Sequence, residues 1–138
     1  FKGFKRLLEA QIIEEVPKLH CVQASAIAPI LAFYYGKSWI LDQNARTVAG
    51  GISVATPTRQ VEVVDALRFT GGSVVAVDDD EILWWQNELA KTEGVFAEPT
   101  SASAFAGLDQ LVKQGIISVD DSVVVPVTGF GLKDDIRG

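Results

Sequence analysis

Thr128 carries a hydroxyl at the end of the apolar run Val123-Val124-Val125-Pro126-Val127 and is followed by Gly129, Phe130 and Gly131. A hydroxyl donates one hydrogen bond and accepts two, and glycines let another group approach the backbone closely. A buried strand ending in such a group has the chemistry of a ligand contact. The same residues would also serve as a plain strand end leading into a turn. Glu98 stands before Pro99, where a helix is expected to begin and where a carboxylate is favoured by the helix dipole. Ala49, Gly50 and Gly51 lie in "VAGGISVATP", whose small and β-branched residues suit a loop close to a ligand or to another backbone.

Other reactive residue types carry less. His20 and Cys21 are the only histidine and the only cysteine. On a strand, neighbours point to opposite faces, so the two do not form a nucleophile–base pair. A single cysteine excludes a disulfide framework, and with one histidine a zinc site is not expected. Asp78-Asp79-Asp80 reads as an N-cap followed by acidic first-turn residues, with no further ligands around it to hold a metal. Lys133 reads as a surface or salt-bridge lysine. Trp84 and Trp85 cannot share one helical face, so one is expected to pack inward and the other to meet a subunit or a further domain.

These residues must be held by regular elements. An amphipathic helix is expected from Phe1, with Phe4, Leu7, Leu8 and Gln11 at helical spacing, ending near Glu15 before Pro17. Leu19–Ala24 suits a short strand, and residues 28–35 a helix closed by Gly36. Residues 37–57 have no clear period. Residues 58–70 form a helix with Val61, Val64, Ala66 and Leu67 as its apolar face, stopped by Gly71-Gly72. Residues 73–77 are a buried strand and 82–92 a helix. A short extended piece, 95–97, precedes a helix from Pro99 to about Gln114, ended by Gly115. Its small residues, "PTSASAFAGL", permit close packing against a neighbour or a flat ligand. Val123–Val127 is the expected last strand.

Short apolar strands without strict alternation, separated by helices, are the pattern of an α/β fold: a parallel sheet flanked by helices in a Rossmann-like three-layer arrangement. In such sheets ligands sit beyond the carboxyl ends of the strands, which is where Thr128 falls. With 138 residues the chain is one domain, or a single piece of one, spanning residues 1–138. A net charge of −6 argues against a nucleic-acid partner, and no apolar run approaches the ~20 residues of a membrane span. The chain contains no methionine and opens inside a helix, so it is expected to be the C-terminal part of something longer.

The run Glu93–Ala102 (EGVFAEPTSA) followed by Thr128–Asp134 (TGFGLKD) resembles threonine synthase, a family of fold type II pyridoxal-phosphate enzymes. "KGFKRLLEAQIIEEVPKLHCVQASAIAPI" is similar to the segment after that family's phosphate-binding loop, and "RTVAGGISVATP" to its T-(I/V)-A-x-G-I loop. The match is collinear over nearly the whole chain. It implies the C-terminal part of the family's large cofactor-binding domain, in a parent that converts O-phosphohomoserine and water to threonine and phosphate. It also implies that no catalytic residue lies in this chain, because the family's Schiff-base lysine and glycine-rich phosphate cup fall upstream. The 138 residues alone are then not expected to be catalytically competent.

Carried over residue by residue, the resemblance places the Thr128 hydroxyl on the pyridine nitrogen of pyridoxal phosphate, with Gly129 letting the backbone pass close to the ring. Glu98 is either a helix-capping group or a support at the ring edge, and Ala49 and Gly50 line the pocket. A cytoplasmic homo-oligomer acting on a small amino-acid substrate is implied as well, with neither nucleic acid nor membrane as partner. Cysteate synthase and serine/threonine dehydratases are alternatives that this sequence separates poorly, although the T-G-x-G-L-K-D ending favours threonine synthase or its close paralogue over the dehydratases. A non-catalytic α/β binding module is the alternative of a different class.

Overall fold

β-Branched residues with small neighbours form two four-residue strands, β1 (Cys21–Ala24) and β2 (Val74–Val77). They pair in parallel, Cys21 beside Val74 and Ala24 beside Val77. The computed structural model describes residues 1–133. A parallel pair needs a crossover, and helices α2 (Pro29–Tyr34) and α3 (Gln60–Thr70) lie in the connection. Gly71 closes α3 in the left-handed conformation (φ 66°), as the glycine pair predicts.

Side-chain alternation divides the sheet into two faces. Val22, Val75 and Val77 point toward helix α5 (Pro99–Lys113). Val75 packs with Leu111 and Ile117, while Val77 packs with Ile82, Ala102 and Ala106. Gln23 points the other way, and its side-chain oxygen accepts the Leu31 N–H at 3.0 Å in the first turn of α2. Helices therefore cover both faces, and α5 also packs against helix α4 (Asp79–Thr92). The buried face of α5 is built of Ser101, Ala102, Ser103, Ala106 and Gly107, so its backbone comes close to the sheet.

The start of α4 follows the Asp78–Asp80 pattern. The Glu81 carboxylate reaches back to accept the Asp78 N–H at 2.9 Å and also takes the Gln110 side-chain amide of α5 at 3.0 Å. One residue thus closes the helix start and ties α4 to α5. Glu81→Ala is expected to cost about 1–2 kcal/mol of stability, read from urea unfolding. A cost near zero would mean that water replaces both contacts.

Three expectations about elements are corrected. Helix α1 spans Lys2–Glu9 and does not reach Glu15. None of its residues is buried, and Ile12 beyond it is 69% exposed. Short helices are marginal in water without a surface to cover, and the apolar face of α1 meets the body of the protein at the Phe1–Phe69 ring contact (5.2 Å). Val61, assigned to the apolar face of α3, is mostly exposed, while Val64, Ala66 and Leu67 are buried.

The third correction is the largest. Val123–Val127 forms no strand, and Val124 is 91% exposed. Valine composition favours an extended backbone, but a strand also needs an edge to pair with. Among the described residues, neither β1 nor β2 pairs with this run. Its continuation is held instead by an antiparallel bridge between Ala97 and Phe130 and by the Gly131 N–H on the Phe96 carbonyl at 2.8 Å. Asp134, the end of the TGFGLKD motif, lies outside the described residues.

Candidate functional site

The two strands end on hydroxyl and carboxylate groups that fix the loops beyond them. The Ser25 hydroxyl, just after β1, donates to the Asp78 carboxylate, just after β2. Asp79 accepts the Thr47 hydroxyl at 2.6 Å and the Val48 N–H at 3.0 Å, which draws the 47–52 loop over the end of β2. Ala49 then drops into the core against Val77, Ile82, Ala102 and Ala106. Gly51 donates its N–H to the Thr100 hydroxyl at 3.0 Å. A side chain on Gly51 would stand 2.8 Å from that oxygen, so glycine is needed for the approach.

The first turn of α5 carries the rest of the constellation. Ser101 is 2% exposed, and its Oγ accepts the N–H groups of Thr128 (3.0 Å) and Gly129 (3.1 Å). The same oxygen lies 3.2 Å from the Thr128 Oγ1. One residue before Pro99, the Glu98 N–H donates to the Gly129 carbonyl at 3.0 Å. The Glu98 carboxylate covers the α-carbon of Gly129: a Cβ there would stand 2.7 Å from its Oε2 and closer still to Oε1. The absence of a side chain at 129 is what admits the carboxylate.

Of the residues singled out from the sequence, Thr128, Gly129 and Glu98 meet directly. Gly50 is exposed in the adjoining loop. Ala49 is fully buried and presents no surface to a ligand, whereas Gly50 and Gly51 beside it are exposed. Ser101, Thr100 and Asp79 were not singled out as site residues by the sequence. Ser101 and Thr100 sit in a stretch whose small residues suggest packing, and hydroxyls in the first turn after Glu-Pro were the available signal.

His20 and Cys21 sit at the opposite end of β1. The Ser73 N–H occupies His20 Nδ1 at 3.2 Å, and burial, with Lys18 nearby, lowers the imidazole pKa. Burial pushes the Cys21 thiol up to about 11, so it stays protonated and unreactive at neutral pH. Among the described residues no group of three His, Cys, Asp or Glu side chains is gathered to hold a metal, and no helix is long and apolar enough to cross a membrane. An exposed neutral hydroxyl beside a glycine backbone fits an uncharged ring nitrogen, to which it can donate without supplying charge.

The protein-family model described as "Pyridoxal-phosphate dependent enzyme" matches residues 1–129. Threonine synthase of Methanocaldococcus jannaschii is 40% identical over 136 residues, covering 97% of this chain and 34% of the relative. The Methanosarcina acetivorans threonine synthase is 38% identical with the same coverage, and that of Mycobacterium tuberculosis 32% identical. The chain therefore spans about a third of the length of these relatives. A crystal structure of a T.th. threonine deaminase superposes with a TM-score of 0.56 at 17% identity, over 77% of this chain and 33% of that one. At that identity the likeness speaks for the fold alone: a parallel α/β arrangement of the fold type II kind. Matched over nearly its whole length, the chain belongs to the pyridoxal-phosphate dependent enzyme family.

Proposed function

We propose that this chain supplies the pyridine-edge side of the cofactor site in a threonine synthase, a carbon–oxygen lyase that converts O-phosphohomoserine and water to threonine and phosphate. The observation that carries the reading is the anchored Thr128 hydroxyl, fixed through Ser101 to the first turn of α5, beside a glycine covered by Glu98. The identity to threonine synthases, spread over the whole chain, supports the choice of reaction.

Bound pyridoxal phosphate supplies the electron sink on which such replacement chemistry depends. The residues of this chain bind and orient it. Thr128 meets the ring nitrogen with a neutral hydroxyl, which cannot hold that nitrogen protonated as a carboxylate would. Gly129 allows close backbone approach, Glu98 stands at the ring edge, and Ala49 and Gly50 carry the loop that lines the site. The same reading makes the parent a cytoplasmic enzyme acting on a small amino-acid substrate. Val123, Val124 and Val127 are exposed, and such apolar surface supports self-association as a homo-oligomer.

Pyridoxal phosphate titrated into the 15N-labelled chain at millimolar concentration is expected to shift the amide signals of Thr128, Gly129 and Glu98. Thr128→Val should weaken that binding by roughly tenfold while leaving the circular dichroism spectrum unchanged. Phosphate release from O-phosphohomoserine by the full-length protein tests the reaction. Unperturbed amides at Thr128 and Gly129, or equal affinity in Thr128→Val, would remove the cofactor assignment.

A further inference from the structure

We infer that Ser101 is a positioning residue that turns the hydroxyl proton of Thr128 outward, so that Thr128 acts as a polarised donor toward the ring nitrogen. The inference rests on the cofactor reading above and extends it to a residue that does not itself touch the ring. A serine hydroxyl has one proton and two acceptor lone pairs. Both lone pairs of Ser101 Oγ are taken, one by the Thr128 N–H (3.0 Å) and one by the Gly129 N–H (3.1 Å). Its proton has one place to go among the described partners, the Thr128 Oγ1 at 3.2 Å. At 2% exposure Ser101 has little access to water as an alternative acceptor.

The hydrogen bonds therefore run one way: backbone amides to Ser101, Ser101 to Thr128, and Thr128 to whatever accepts beyond it. Aligned chains of this kind polarise each successive donor. With one lone pair taken by Ser101, the Thr128 hydroxyl keeps its own proton to donate to a neutral pyridine, in the direction the chain polarises; accepting from a pyridinium on the second lone pair would run against that direction. Among the described residues, the charged groups at the site include the Glu98 carboxylate over Gly129 and the Asp78 and Asp79 carboxylates at the end of β2. The latter two are engaged by Ser25 and by Thr47 and Val48.

The test uses pyridoxine 5′-phosphate labelled with 15N in the ring, which has no aldehyde and cannot react with lysine. The nitrogen shift is followed against pH when the ligand is bound to wild type, Ser101→Ala and Ser101→Thr. Wild type is expected to hold the ring nitrogen unprotonated well below the pH at which the free ligand protonates. Ser101→Ala should move protonation back toward the free value, by about tenfold in the protonation constant. Ser101→Thr, which keeps the hydroxyl, should restore the wild-type profile.

Identical profiles in wild type and Ser101→Ala, or a Ser101→Thr profile matching Ser101→Ala, would overturn the role of Ser101 while leaving the cofactor site standing. No change at the Thr128 and Gly129 amides on adding the ligand would remove the cofactor reading, and this inference with it. If Ser101→Ala does not fold, the wild-type protein still decides the matter. A slowly exchanging Ser101 hydroxyl proton with a cross-peak to the Thr128 side chain supports the inference, and a hydroxyl directed to a helix carbonyl overturns it.

Discussion

Gly72→Ala is expected to unfold the protein, or to leave it several kcal/mol less stable. A Cβ built on Gly72 would stand 2.6 Å from the Leu19 carbonyl carbon and closer still to its oxygen. Both are backbone atoms, so no rotamer change relieves the overlap. Relief requires the segments entering β1 and β2 to part. That separation strains the Cys21 N–H on Ser73 (2.9 Å), the Ser73 N–H on His20 (3.2 Å), the Leu19 N–H on Thr70 (3.2 Å) and the Tyr34 hydroxyl on Gly72 (3.2 Å). Overpacking costs about 1–3 kcal/mol and each lost hydrogen bond about 1 kcal/mol. The sum is a large share of the ~5–15 kcal/mol that holds a domain together. Gly71→Ala is the control. Its φ of 66° strains an alanine by about 1 kcal/mol, but no atom lies within 4 Å of the new methyl. Urea unfolding of the two variants should separate them clearly, and equal midpoints would show that the strands are not so tightly apposed.

The close approach at Gly72 illustrates what the sequence could and could not convey. Gly71-Gly72 announces the end of α3, and the valines at 74, 75 and 77 announce a buried strand, because both signals are local. That Gly72 is needed against Leu19, far back along the chain, depends on strand pairing that no local pattern encodes. The site divides in the same way. Thr128, Gly129 and Glu98 stand out because hydroxyl, glycine and carboxylate occupy element ends, where ligands are bound. Ser101 is hidden among small residues whose composition speaks only of packing. Its role comes from backbone amides 27 and 28 positions downstream.

The small residues of the 47–52 loop suit close approach to a ligand or to another backbone, and Ala49 meets the core because Asp79 draws the loop inward through Thr47 and Val48. The valine run before Thr128 has the composition of a strand, and composition does not provide the edge on which a strand depends.

Gly107→Ala is expected to reach the site from a distance. Gly107 sits on the face of α5 against Val22, where a new Cβ would stand 2.8 Å from Val22 Cγ1 and closer still to Cγ2. Val22 has little room to yield, since it packs against both clusters of the core. The helix must lift from the sheet, at about 1–3 kcal/mol. Earlier on the same rigid helix, Ser101 holds the amides of Thr128 and Gly129. Displacing α5 should therefore speed hydrogen exchange at those two amides more than at the β1–β2 ladder. Removing the opposing methyls provides the check: Val22→Ala alone leaves a cavity and costs stability, whereas combined with Gly107→Ala it relieves the overlap. The double variant should be less destabilised than the two single changes added together, as residues in contact require. It should also recover slow exchange at Thr128. Strict additivity, with Thr128 exchange unchanged in Gly107→Ala, would show that the glycine is not what sets the height of α5 above the sheet.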